Sequence, residues 1–136
     1  MPSEAGAASA PLSAPLGIIL LSDSHDRAHF AFLLASGAAA LGRTVVLFAT
    51  NRGCIALMAG ADRLQGVERE ARIESRGVAG LATLRDACLE LGVRLIACEA
   101  GLRAEALDQA SLLPAVEVAG VATFLSAVGP GQIVSI

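Results

Sequence analysis

Along this chain, short unbroken apolar runs alternate with longer stretches in which apolar residues return every three or four positions. Leu16-Gly-Ile-Ile-Leu-Leu21 is apolar throughout and closes on the polar cluster Ser22-Asp-Ser-His-Asp-Arg27, the pattern of a strand buried on both faces. From Ala28 to Leu41, the residues Phe30, Leu33, Leu34, Ala38 and Leu41 recur at helical spacing, and Gly42 follows as a terminating glycine. Thr44-Val-Val-Leu-Phe-Ala-Thr50 is β-branched and apolar on both sides and predicts a second buried strand. Asn51-Arg-Gly53 turns the chain into a short helical stretch, Ile55 to Ala59. Ala61 to Arg76 is polar with a weak period and predicts a mobile surface excursion. Leu81, Leu84, Cys88 and Leu91 then mark a helix ending at Gly92, and Val93-Arg-Leu-Ile-Ala-Cys98 follows as a third strand. A helix over Leu102 to Gln109, an extended segment from Ala115 to Val118, a helix from Val121 to Val128 and a terminal strand from Gln132 to Ile136 complete the pattern.

Strands alternating with helices imply right-handed βαβ units, hence an α/β fold with about five parallel strands and helices on both faces. A chain of 136 residues with 54% hydrophobic content is the size of one domain. Residues 1–15, rich in Ala, Ser and Pro, read as a disordered tail, and residues 16–136 as one α/β domain. No apolar run approaches the roughly 20 residues of a membrane helix, and the N-terminus lacks the basic and apolar regions of a secretory signal. The expectation is a soluble, cytoplasmic protein whose three cysteines are free thiols.

Composition narrows the chemistry. A net charge of −3 without blocks, and the absence of Trp and Tyr, offer neither a phosphate footprint nor a stacking platform for nucleic acid. All ten basic residues are arginines, which excludes Schiff-base chemistry and a Walker-type lysine.

In parallel sheets, ligands gather beyond the carboxyl ends of the strands. Cys98 ends the third strand just ahead of a predicted helix, whose N-terminal amides and dipole favour a thiolate. The adjacent Glu99 acts in the opposite sense if its carboxylate faces the sulfur, and a small apolar residue at a strand end is also an adequate account of this cysteine. Cys54, at the mouth of the second strand, is a second thiol able to resolve a disulfide or relay sulfur, or is simply buried. Cys88 shares a helical face with leucines and reads as core. His25 and His29 stand four apart, but with His25 in a loop and no cysteine at ligand spacing they read as capping or solvated residues, so no metal site is expected. Asp26 or Ser24 reads as an N-cap, and Gly120 as a site of close helix packing.

Two segments carry a family likeness. Gly80-Leu-Ala-Thr-Leu-Arg-Asp-Ala-Cys-Leu-Glu-Leu-Gly-Val-Arg-Leu-Ile-Ala-Cys98, followed by Val116-Glu-Val-Ala-Gly-Val-Ala-Thr-Phe-Leu125, resembles the DsrE/DsrF-like sulfur-relay family, in particular its small stand-alone members often labelled peroxiredoxin-like. Phe32 to Thr50 is similar to that family's first helix and second strand, and the likeness extends from Gly17 to Ala127. It implies a three-layer α/β/α fold with a five-stranded parallel sheet of order 4-3-2-1-5, assembly into oligomers, and a persulfide role for Cys98. The chain departs from the family at Glu99-Ala-Gly-Leu-Arg-Ala104, where many relatives carry methionines, and at Asn51-Arg-Gly-Cys54, where an aromatic stretch is common.

The expectation is a cytoplasmic sulfur carrier or sulfurtransferase that passes persulfide sulfur through Cys98, with Arg52 and Arg103 as candidate anion-steadying residues and no cofactor. Its partners would be sulfur donor and acceptor proteins of the rhodanese-like or small sulfur-carrier kind, together with further copies of the chain. The alternative is a non-catalytic oligomeric module binding a small anion or nucleotide at the strand-end cleft. A thiol peroxidase with Cys54 as resolving residue is a third reading, set against by the absence of a Thr-x-x-Cys arrangement.

Overall fold

The computed structural model describes residues 14–136. Of the predicted tail, only Ala14 and Pro15 fall within them. The Ala14 carbonyl accepts from Arg43 Nε at 2.9 Å, and the Pro15 carbonyl from Gln132 N at 2.9 Å.

Five strands, β1 (Leu16–Leu20), β2 (Val45–Ala49), β3 (Arg94–Cys98), β4 (Glu117–Ala119) and β5 (Gln132–Ser135), form one sheet of order β4-β3-β2-β1-β5. All pairings are parallel, as the apolar runs predict. The helices are α1 (His25–Ala40), α2 (Arg69–Glu74), α3 (Leu81–Glu90), α4 (Glu99–Ala104) and α5 (Val121–Val128). Connections from β1 through β4 step in one direction across the sheet, so right-handedness puts their helices on one face. The reversal from β4 back to β5 sends α5 to the other.

The two faces differ in thickness. On one, Leu16, Ile18, Leu20, Leu47, Leu95 and Ala97 meet α1, α3 and α4 in a large core. On the other, Val46, Phe48, Ile96 and Cys98 meet Phe124 and Val128 of α5 in a small one, where the rings of Phe48 and Phe124 stack with centroids 4.9 Å apart. Helix α5 lies close because Gly17 faces it: a Cβ there would stand 2.6 Å from Val128 Cγ2 and 2.8 Å from Phe124 Cζ.

Expectations for two helices are corrected. Helix α1 begins at His25, and the face it buries is the stripe Ala28, Ala31, Phe32, Ala35 and Ala38; Phe30, Leu33 and Leu41 are 49%, 45% and 71% exposed. The small side chains win because they let the helix axis approach the sheet and α3, where the larger residues would hold it away. Helix α4 starts at Glu99 rather than Leu102 and stops at Ala104, since Cys98 acts as its N-cap and Ala106, with φ of 52°, turns the chain away.

The polar stretch after Ala59 is a packed structure rather than a loose excursion. Leu64 and Ile73 are buried, and Gln65 extends the backbone pairing of the first loop, with Gln65 N to Asp23 O at 2.8 Å and His25 N to Gln65 O at 2.7 Å. The histidines fasten it and are not solvated. They are 2% and 7% exposed, with ring centroids 5.9 Å apart. His25 Nε2 donates to Glu70 Oε1 at 2.7 Å, its Nδ1 accepts from Arg69 at 3.2 Å, and His29 Nε2 donates to the Ala79 carbonyl at 2.8 Å. Because arginine can only donate, this arrangement describes His25 as the neutral Nε2–H tautomer. The Glu70 carboxylate also caps α3, accepting from Leu81 N at 2.9 Å and Ala82 N at 3.4 Å.

Two outcomes follow from this packing. Gly17→Ala, which pushes a methyl group into Val128 and Phe124, lowers stability by about 1–3 kcal/mol, measured by urea unfolding; an unchanged midpoint would show that α5 can shift freely. Burial alone would raise the Glu70 pKa, but the amides of Leu81 and Ala82 and the His25 ring together hold it below its ordinary value of 4.5. The stabilisation is therefore full above 4.5 and fades as pH falls through that value and the lower folded one. Unfolding midpoints of the wild type should drop in mild acid more steeply than those of Glu70→Gln.

Candidate functional site

Strand β3 delivers Cys98 to the carboxyl edge of the sheet, where the chain passes directly into α4. The cysteine caps that helix, with extended backbone at φ −69° and ψ 120°, and its Sγ accepts from Gly101 N at 3.4 Å. Alternation along the strand turns Ala97 toward the large core and Cys98 toward the thin one, beside Phe48 and Phe124. The residue keeps 7% of its surface open to solvent.

Gly101 makes this geometry possible. A Cβ at this position would collide with Asn51 N and would lie 2.5 Å from Thr50 Oγ1; without one, the first turn of α4 lies against the exit of β2 with its amide directed at the sulfur. The β2 side is fixed in turn. Thr50 N donates to the Leu20 carbonyl at 3.0 Å, Asn51 adopts a left-handed φ of 53°, and its side chain donates to Glu105 Oε2 at 3.3 Å. Asparagine tolerates that conformation better than most residues. The following 3-10 segment, Asn51–Leu57, packs on β1 through Gly53, whose Cβ would strike the Leu20 carbonyl. Asn51 was legible in the sequence only as part of the turn after the second strand, and Gly101 and Thr50 were given no role there, although a glycine three residues after a strand-end cysteine is a legible signal for an amide aimed at sulfur.

Cys54 is carried to the same edge on the neighbouring strand exit, inside the large core and 0% exposed. Its Sγ donates to the Ala49 carbonyl at 3.4 Å. Burial pushes its thiol up to about 11; the backbone amide of Cys98 opposes that rise and the neighbouring Cys98 thiol adds to it. Cys88, also at 0%, donates to the Phe32 carbonyl at 3.5 Å and is likewise raised by burial to about 11. At neutral pH both are thiols and not nucleophiles.

The two candidate arginines stand on either side of this edge, each engaged with a carboxylate. Arg52 Nε donates to Asp23 Oδ2 at 2.7 Å, and Arg103, 80% exposed, reaches Glu99 Oε2 at 3.4 Å across one helical turn. The Arg103 contact also draws the Glu99 carboxylate along the helix surface. Cavities of about 460 Å³ and 320 Å³ are lined by other residues, not by Cys98. Among the described residues no group of three or more His, Cys, Asp or Glu could hold a metal ion, and no helix is long and apolar enough to cross a membrane.

A sequence profile of the DsrE/DsrF/DrsH-like family matches residues 55–134. The chain is 29% identical to the sulfur carrier protein DsrE2 of Allochromatium vinosum, over an alignment covering 87% of this chain and 94% of the relative. Among solved structures, the ychN protein of E. coli is similar with a TM-score of 0.63 and 10% identity, covering 90% of this chain and 99% of that one. The protein MTH1491 of Methanobacterium thermoautotrophicum is similar with a TM-score of 0.58 and 19% identity, covering 91% and 100%. These two likenesses bear on the fold, whose strand order and direction agree with the expectation.

The unequal burial of the thiols sets an order of reactivity. With iodoacetamide under native conditions, Cys98 is alkylated first, while Cys54 and Cys88 react only on unfolding, as read by peptide mass mapping. Modification of Cys54 at the rate of Cys98 would contradict the burial described.

Proposed function

The chain belongs to the DsrE/DsrF/DrsH-like family, and on that footing we propose that it is a sulfur carrier acting through one thiol, Cys98. The Cys98 thiolate attacks the outer sulfur of a donor persulfide, the donor S–S bond breaks, and the donor leaves as its own thiolate. The new S–S bond holds one sulfane sulfur on Cys98, and an acceptor thiolate attacks that outer sulfur in turn, regenerating the Cys98 thiolate. No electrons are gained or lost overall.

The observation that carries this reading is the Gly101 amide on Cys98 Sγ at a helix start. Such a donor stabilises a sulfur anion as attacking group and again as leaving group. Further support comes from the full-length similarity to a protein named as a sulfur carrier. In this reading the donor and acceptor are rhodanese-like or small sulfur-carrier proteins, the setting is the cytoplasm, and copies of the chain assemble with one another. Arg52 and Arg103 would serve as secondary anion contacts on releasing Asp23 and Glu99.

Incubation with a small-molecule persulfide donor should add one sulfur atom per chain, read by intact mass and removed by a reducing thiol. Cys98→Ser abolishes the adduct, Cys54→Ala and Cys88→Ala retain it, and Gly101→Ala slows loading by about tenfold or more, the effect of losing one hydrogen bond to a charged acceptor. An adduct that persists in Cys98→Ser would overturn the proposal.

A further inference from the structure

The two edges of the sheet are treated differently. At one, β4 is three residues long and carries Glu117, which Arg94 grips through Nε at 2.6 Å and Nη2 at 2.9 Å. A short strand bearing an ion pair is a guarded edge. At the other, β5 has no such guard, since no charged residue occurs from Val118 to Ile136. The Gln132 and Ile136 amides donate inward, to the carbonyls of Pro15 and Ile19 at 2.9 Å each. By alternation, the amides and carbonyls of Ile133 and Ser135 point out from the free edge.

Exposed apolar residues flank this edge on both faces. On the large-core side, a groove of about 460 Å³ between α1 and β5 is walled by Phe30, Leu33, Leu41 and Val134. On the thin side, Ile133 pairs with Gly17 and shares its face, and α5 points Phe124 and Val128 at the sheet. A right-handed helix running back from the carboxyl edge in that orientation turns Val121 and Leu125 toward β5. Val121, Leu125 and Ile133 are 55%, 50% and 43% exposed. With Phe30, Leu33 and Leu41 they make up six of the nine large apolar residues exposed among the described residues, a concentration that marks an interface. Charge keeps to the ends of the band. Arg43, at the amino end of the groove, is held by the Ala14 carbonyl and by Gln132 Oε1 at 3.2 Å, and Arg27 lies three residues before Phe30 on α1.

Charge and geometry together select the occupant. A charged partner surface would bury an unpaired charge against the band, so the match is an uncharged surface that also offers a free strand edge, and a second copy supplies both. Residues 1–13 hold only Met1 and Leu12 as large apolar side chains, too few to cover six. We infer that two copies join through β5, antiparallel about a two-fold axis, into one continuous sheet, with α1 meeting α1 and α5 meeting α5 across the seam. This gives the assembly named in the proposed function a surface, and it holds whether or not Cys98 carries sulfur, because Cys98 ends β3, beyond β1 and β2 from this edge.

Light scattering on the full chain should give an even number of chains per particle. Ile133→Lys, which sets a charge on the free edge, and Leu33→Glu, in the groove, should each halve that number while keeping the far-UV circular dichroism of the wild type. Leu91→Glu, at a residue similarly exposed but outside the band, and Cys98→Ser should leave it unchanged. In the assembled chain the Ile133 and Ser135 amides should exchange slowly with solvent, and Leu33→Glu should abolish that protection. A wild type of one chain or an odd number, a particle unchanged by both Ile133→Lys and Leu33→Glu, or fast exchange of these amides in the assembled chain would each overturn the proposal. A single chain with both amides protected would assign the edge to residues 1–13 and overturn it equally. Should one variant fail to fold, the other and the wild-type exchange still decide it.

Discussion

At the carboxyl ends of β1, β2 and β3 the chain packs backbone directly on backbone, and two glycines hold the contacts open. Gly53 lies on the Leu20 carbonyl, and Gly101 on Asn51 N and Thr50. The first seats the Asn51–Leu57 segment across the end of β1, and the second brings the opening turn of α4 down onto the exit of β2. Everything at this edge inherits its position from those contacts: the burial of Cys54, the left-handed Asn51 that links to Glu105, and the amide that meets Cys98 Sγ. A single Cβ at Gly101 would separate the helix from the strand end, and the sulfur would lose the Gly101 amide.

The unequal layers of the sandwich give this edge its asymmetry. Stepwise crossovers place α1, α3 and α4 on one face, and the single reversed crossover leaves α5 alone on the other. Successive residues of a strand point to opposite faces, so Ala97 closes into the deep core and Cys98 falls on the thin side. Cys54, carried on the Asn51–Leu57 segment beyond the end of β2, lies on the deep side. The two thiols thus lie at adjoining strand ends in different surroundings, Cys98 placed by the alternation of its strand and Cys54 by the segment that folds over the end of β2.

Much of this was legible before any coordinates. Apolar runs such as Val45–Ala49 and residues 95–98, alternating with helical periods, fit strands buried on both faces of a parallel sheet, so the fold class and the strand-end position of Cys98 follow from the pattern. The face of α1 was not legible, because the helix is apolar nearly all round and its alanines, which bury, weigh less in a periodicity than Phe30 and Leu33, which do not. The polar stretch after Ala59 also read incorrectly. Its order depends on His25, Glu70 and Arg69, which are remote in sequence and meet only once α1 and α2 are formed. Arg85 was invisible for a related reason: one arginine among ten carries no sign of being buried until the carbonyls of Ala56 and Met58 are seen to hold it.

The contrast between the two thiols bears on how a persulfide could last. A loaded Cys98 is vulnerable to a neighbouring thiolate, which would attack its inner sulfur, form a disulfide and expel hydrosulfide, ending the carrier cycle. Cys54 is the neighbour placed to do this. With its pKa near 11, roughly one Cys54 in ten thousand is ionised at neutral pH, and the thiol hydrogen is directed at the Ala49 carbonyl, away from attack. The burial that removes Cys54 from nucleophilic chemistry would, in the proposed carrier, protect the adduct beside it. A second cysteine at the site is then compatible with one-thiol transfer because the deep core keeps it protonated.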